Sequence, residues 1–376
     1  MNPCGRCKSF WPTLVVSRPN ESSISQLVLG VRVNAPLRGL RVVEFEGLGP
    51  GPLVGRLLAD MGAEVTLIRR PQSGAVANQF DGGDRDVLRH GKIGVALNLK
   101  QPSDVAKALD YVASSDALIE GNRPGVMERL GLGPAQCAAR NPKLVYGRMT
   151  GWGQNGPLAQ AAGHDLNYVA LSGLLSLSAH RGERPIIPPT VLGDASGALG
   201  LAFGIVCALF DVRRTGHGRV VDAAIVDVMG MLGTIAMWVR ASGHLDGPGP
   251  SVFYDSPFYD VYACADGRYI SVAALEPQFY ALLIKALGFN DVDLNAQNDE
   301  SAWPALKSRF KETFASRPSA HWREVLEGTD ACFAPVLSVS EAVNHPHNVA
   351  REIFRVDDGG TVTVKVAPRF LPLGEP

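Results

Sequence analysis

Cysteine is scarce and scattered, with six in 376 residues. Cys4 and Cys7 form one isolated Cys-x-x-Cys, while Cys137, Cys207, Cys264 and Cys332 stand far apart. This spells out neither a disulfide framework nor a four-ligand zinc site, and it fits an intracellular, reducing compartment. An excess of charge of one sign is also missing. A net charge of −1 leaves no basic field for nucleic acid. No uninterrupted apolar run reaches the ~20 residues of a membrane span. The nearest, 198–210, is shorter and rich in small residues suited to helix packing. Internal repeats and low-complexity tracts are lacking. The first glycine loop, 47–52, carries neither Gly-x-Gly-x-x-Gly nor a P-loop, so dinucleotide and nucleotide sites are not supported there.

What is present is a globular composition, 46% hydrophobic and 19% charged, in a chain long enough for two domains. Residues 1–37 carry Arg6, Lys8, Arg18 and Arg32 against one acid, Glu21. That composition resembles an organellar transit peptide, and an unstructured extension or a mistaken start codon explains it as well, so a mitochondrial and a cytoplasmic location both stay open. The fold begins at Leu40. A strand over 40–45, a Gly/Pro turn over 47–52, a helix over 54–61 closed by Gly62 and a strand over 63–68 make a βαβ unit. The order predicts an α/β fold with a parallel sheet. After a polar loop over 72–90, further strands are expected at 95–99, 116–120, 144–149 and 220–224. Helices are expected at 103–114 (capped by Ser103), 127–130, 134–140, 197–213 and 225–241, the last with Met229, Met231 and Met237 as core filler. A Gly/Pro/Ser-rich linker at 243–251 leads to a hairpin, 260–264 with 269–273, turning on Asp266 and Gly267. Helices at 278–287, 303–314 and 321–326 complete a small α+β domain, and a strand at 362–366 is expected to return to the first. The domains are therefore 1–37 (extension), 38–242 (large), 243–345 (small) and 346–376 (return segment).

Within the large domain, 163–173 places His164 beside Asp165 at the start of a helix whose Leu166, Val169, Ala170 and Gly173 have the spacing of a buried face. Such a pair either caps the helix or works with the free N–H groups and positive dipole end beside it. Arg70, Lys100, Arg123 and His164 each follow an expected strand end, where ligands of open parallel sheets bind. Together they point to an anionic ligand.

The motifs at 40–52, 120–134, 149–157, 162–173, 192–194, 216–223, 275–280 and 329–336 run in order through the chain. In them the sequence resembles the α-methylacyl-CoA racemases of the family III CoA-transferase superfamily. The resemblance implies a Rossmann-like large domain that binds no dinucleotide, and an interlocked homodimer with shared active sites. It implies inversion at C2 of a 2-methylacyl-CoA through an enolate, a reaction best served by acid/base groups on opposite faces. It assigns His164 and Asp194 to those roles, Glu276 of the partner subunit to orienting His164, and the backbone N–H of Asp165 to the enolate oxygen. Arg70, Lys100 and Arg123 would hold the phosphates of the acyl-CoA substrate. No metal or separate cofactor is required, since CoA is part of the substrate. Read locally, Asp194 is a cap for the helix at 197 and Glu276 a helix start; the joint motifs are what move them. The chain departs from the family pattern at Arg69, at His90, and at 253–257, near the acyl site in the family, which puts acyl preference in question. Its end, 373–376, does not match a Ser-Lys-Leu-type signal. The competing readings are a transferase in which Asp165 attacks the thioester, and an acyl-CoA-binding protein without turnover. Transferases of the superfamily generally carry an aromatic residue where this chain has His164.

Overall fold

The computed structural model describes residues 35–71, 86–180, 182–245, 247–357 and 359–374. The Cys4/Cys7 pair, the basic residues of the N-terminal extension and most of the 72–90 loop lie outside the described residues. The chain opens with β1 (Arg41–Phe45), α1 (Pro50–Asp60), β2 (Glu64–Arg69) and β3 (Lys92–Ala96). It continues through α2 (Pro102–Ala113), β4 (Ala117–Glu120), α3 (Val126–Arg129), α4 (Pro134–Arg140) and β5 (Val145–Thr150). Next come α5 (Asp165–Leu171), α6 (Gly193–Thr215), β6 (Arg219–Ala224), α7 (Ile225–Leu232) and α8 (Thr234–Ala241).

The six strands form one parallel sheet in the order β3-β2-β1-β4-β5-β6. A parallel sheet is expected from the residues and its Rossmann-like character from the resemblance; the order itself is the doubly wound one, and the chain direction switches between β1 and β4. Parallel strands need cover on both faces, which is why Val42, Val43, Leu118 and Ile119 are nearly inaccessible. One face packs on α1 and α6 through Val54, Leu58, Leu201 and Ile205. The other packs on α2, α3 and α4 through Ala108, Val112, Met127 and Cys137. The larger of these, Val54, Leu58, Val112, Met127, Leu201 and Ile205, each contribute roughly 1.5–3 kcal/mol of burial.

The second core belongs to β7 (Tyr259–Ala263), β8 (Tyr269–Ala273), α9 (Pro277–Ala286), α10 (Trp303–Ala315), α11 (Ser319–Leu326) and β9 (Phe333–Pro335). Its strands are antiparallel, with β8 central. Tyr262, Tyr280, Trp303, Phe310, Phe314 and Trp322 fill it with rings in mainly edge-to-face contact. The chain ends with α12 (Val339–Asn344), α13 (Pro346–Ala350), β10 (Phe354–Val356) and β11 (Val362–Val364). Among the described residues the last two strands pair with each other and not with the six-stranded sheet.

Several local expectations shift. Helix α1 starts inside the Gly/Pro stretch, at Pro50, because prolines are tolerated in a first turn whose N–H groups are unpaired anyway. Strand β3 lies three residues earlier than expected, at Lys92–Ala96, where it pairs in register with β2. Gln101, not Ser103, caps α2, with Pro102 as its first residue. The 225–241 segment breaks at Gly233, leaving Met229 buried while Met231 and Met237 are 55% and 46% exposed rather than core. Helix α5 buries Asp165, Tyr168 and Val169 and exposes Leu166, Ala170 and Gly173. A polar anchor described below turns that helix. Among the described residues one helix, α6, is long and apolar enough by length and composition to cross a membrane. The apolar run seen in the sequence was shorter because α6 gains its first turn from the small residues 193–197. Here it packs against β5, β6, α1 and α7.

Candidate active site

The switch in strand order puts the carboxyl ends of β1, β4 and β5 side by side, and each feeds a loop into one region. After β5 the chain folds tightly over two aromatic rings. Trp152 and Tyr168 meet edge to face, centroids 4.7 Å apart. A Cβ on Gly151 would sit 2.0 Å from the Tyr168 ring, and one on Gly163 2.8 Å from both rings, so only glycine fits at either position. The Tyr168 hydroxyl donates to the Gly163 carbonyl, closing the loop just before His164. His164 is the N-cap of α5, in extended conformation, and its N–H donates to Asn167 Oδ1 at 3.1 Å. Its side chain lies in the wall of a cavity of about 230 Å³ that also includes Asn122, Arg123, Trp152, Ala162 and Tyr168.

Asp165 is the first helical residue, so its N–H lies outside the intrahelical ladder. The residue is 6% exposed, with its carboxylate pointing inward. Oδ1 accepts the backbone N–H of Asp194 at 2.8 Å; Oδ2 is buried with no protein partner. This bond ties the start of α5 to the start of α6 and explains why α5 turns Asp165 inward at the expense of Leu166. A Cβ on Gly193 would lie 2.6 Å from Oδ1, so the close approach needs a glycine. Asp194 is the second residue of α6 and not its cap, which is Leu192. Burial, reinforced by the Asp165 charge and opposed by His164, pushes the Asp194 carboxyl up to about 6. Its Oδ2 lies against Gly49 at the head of α1, where a Cβ would come within 3.0 Å. The Tyr168 hydroxyl, in the same cavity wall, is raised by burial and by the Asp194 charge.

The structure therefore brings together His164, Asp165, Asp194 and Arg123. Arg70 and Lys100 are exposed on the same rim but outside this cavity wall. They follow β2 and β3, with β1 and β4 between them and the His164 loop, so about 14 Å of sheet edge separates β2 from β5 at ~4.8 Å per strand. Glu276 is the N-cap of α9, exposed, with no capping bond from its side chain. It lies near Cys332, whose thiol is raised by burial and then by the Glu276 charge. Within one chain it is neither in the cavity wall nor among the charges acting on Asp194. Trp152, Tyr168 and Gly49 escaped the sequence reading, although paired glycines beside an aromatic residue are the signal that close backbone–ring packing leaves.

This fold and site define a class: a doubly wound α/β protein whose switch point carries a histidine and two carboxyl groups instead of a glycine-rich phosphate loop. Within that class the chain belongs to CoA-transferase family III, whose model matches residues 37–372. It is 41% identical over 335 residues to an alpha-methylacyl-CoA racemase of Mus musculus, covering 88% of this chain and 86% of that one. The human protein of the same name is 41% identical over 347 residues, with 89% and 86% covered. An acetyl-CoA:oxalate CoA-transferase of Acetobacter aceti is 30% identical, with 87% of each chain covered. Among solved structures, Rv3272 of Mycobacterium tuberculosis matches with TM-score 0.74 at 26% identity, covering 90% of this chain and 93% of that one.

Proposed function

We propose that the protein is a racemase of 2-methylacyl-CoA thioesters. The observation that carries the reading is the pairing of His164 with Asp194, whose carboxyl is raised to about 6 by burial and by Asp165. A carboxyl that holds its proton close to neutrality can give one up and take one back, as can an imidazole. Two such groups, facing C2 from opposite sides, invert it through an enolate. The free N–H of Asp165, at the positive end of α5, suits the enolate oxygen. Arg123 in the cavity wall, with Arg70 and Lys100 farther along the rim, suits an elongated ligand with several phosphate groups. CoA enters as part of the substrate, and the chemistry calls for no separate cofactor.

The site is completed in a homodimer on this reading. Glu276 of the partner subunit then reaches His164 and fixes its tautomer. The support is exposed apolar side chains on two helices of the large unit: Leu199, Phe203 and Phe210 of α6 and Ile235 and Trp238 of α8 are each more than half exposed. A surface of that kind marks an interface. The altered segment Phe253, Tyr254, Asp255, Ser256 and Pro257 is where acyl preference is set. The free cysteines fit a cytoplasmic or mitochondrial setting.

One observation favours a second reading. The unpartnered Oδ2 of Asp165 is the atom with which a family transferase would attack the thioester. Incubating one epimer of a 2-methylacyl-CoA with the protein, with and without a second carboxylic acid, separates the two. Inversion at C2 without the acid supports the racemase. Transfer of CoA to the acid with retained configuration supports the transferase and rejects the proposal.

A further inference from the structure

Arg148 stands near the carboxyl end of β5 and is 7% exposed. Its Nε donates to Glu120 Oε1 at 3.0 Å and its Nη2 to Glu128 Oε1 at 2.7 Å. Those two carboxylates lie on either side of 121–125, the loop that delivers Asn122 and Arg123 to the cavity wall. The other oxygen of Glu120 accepts the Asn122 N–H at 2.7 Å, and the Arg123 carbonyl accepts the Val126 N–H at 3.1 Å. One planar fork thus grips both ends of the loop, while the loop's own bonds fix its middle. The guanidinium also lies over the Tyr146 ring, 5.5 Å from its centroid, and the Tyr146 hydroxyl donates to the Leu132 carbonyl. The fork is held from below as well as from its ends. A buried ion pair contributes little net stability after desolvation, so such a network is better explained by geometry than by stability. Lysine could not replace it, because an ammonium group lacks the rigid two-pronged geometry that spans both carboxylates.

We propose that Arg148 is a positioning residue for ligand binding. It clamps the two ends of the 121–125 loop so that Arg123 is already in place when the CoA moiety arrives. This rests on the reading of Arg123 as a CoA contact. It adds that the contact depends on a residue which never touches the ligand.

Two measurements test it. Binding of free coenzyme A, which needs no turnover, is expected to weaken about tenfold in Arg148→Met, with Arg148→Lys intermediate. In an Arg123→Ala background the same Arg148→Met change is expected to cost less than about twofold, because the loop no longer has a contact to position. KM for acyl-CoA rises while kcat changes little. Equal losses in both backgrounds overturn the proposal, since they describe general damage. If Arg148→Met does not fold, Glu128→Ala removes the acceptor at one end of the loop, at a side chain that is 41% exposed, and the same cycle applies. Amide hydrogen exchange in the absence of ligand reads the clamp directly. Faster exchange at Asn122, Arg123 and Gly125 in Glu128→Ala supports it, and unchanged exchange overturns it. If the wild-type protein fails to bind coenzyme A while Glu128→Ala still shows the faster exchange, the CoA reading is rejected and the clamp stands.

Discussion

Replacing Asp194 by asparagine is expected to stabilise the protein at pH 8 while removing its activity. Folding raises the Asp194 carboxyl from 3.8 to about 6, chiefly by burial and then by the neighbouring Asp165 charge. Between those values the folded protein keeps a proton that the unfolded chain has released. Stability contributed by the neutral carboxyl is therefore complete below about pH 4 and is lost as pH rises through about 6. A dry site would put the cost above pH 6 at about 3 kcal/mol. Asp194 is only half-buried, and solvent screening brings the expected cost to about 1–2 kcal/mol. An asparagine of nearly the same shape carries no charge, and the Asp194 N–H that binds Asp165 is a backbone group untouched by the change. Urea unfolding of the two proteins at pH 8 should show Asp194→Asn more stable by about 1–2 kcal/mol, and at pH 4 the difference should vanish. Comparing the pair at each pH cancels the other carboxyl groups. A variant less stable than wild type at pH 8, or one whose advantage is the same at pH 4, would refute the reasoning.

Three other outcomes follow from the same geometry. His164→Ala is expected to lower inversion at least about a hundredfold, while solvent exchange at C2 survives for the epimer whose proton Asp194 removes; loss of exchange for both epimers would contradict the two-face assignment. The buried pair of Lys92 with Glu44, joined at 2.8 Å and packed under Gly55, has Glu44 pushed up to about 7 by burial despite its partner. Lys92→Met is therefore expected to cost about 3–5 kcal/mol in urea unfolding, and the double change Glu44→Leu with Lys92→Met much less. If the proposed shared-site dimer forms, mixing His164→Ala and Glu276→Gln chains is expected to regain about a quarter of wild-type activity, because half the dimers would then hold one intact site. Mixtures that stay inactive would place Glu276 outside the partner's site.

The sheet was legible because its strands are short β-branched runs separated by glycine and proline, a pattern that buried parallel strands require. The boundaries that shifted did so for backbone reasons. Prolines 50 and 52 read as turn residues but occupy a first helical turn, and Gly233 splits a run whose hydrophobic pattern is continuous. At the site, the neighbouring His164 and Asp165 and the rim position of Arg123 could be read from order alone. The bond from the Asp194 N–H to Asp165 could not, because 29 residues separate its partners and neither lies in a pattern that marks contact. That bond also rotated the expected face of α5: Val169 is buried as its spacing implied, but Asp165 takes the inward place that spacing gave to Leu166, because its carboxylate has a backbone donor there. The clamp around Arg148 was hidden for a similar reason, since a charged residue in an inward strand position looks like an exception until both its carboxylates are located.

The most direct test of the racemase reading follows hydrogen at C2 of a single-epimer 2-methylacyl-CoA in D₂O. The account predicts inversion from either epimer, with one solvent deuteron delivered to C2 in each inverted product. Folded protein that binds the thioester and yields neither exchange nor inversion, across short and long branched acyl chains, would contradict it.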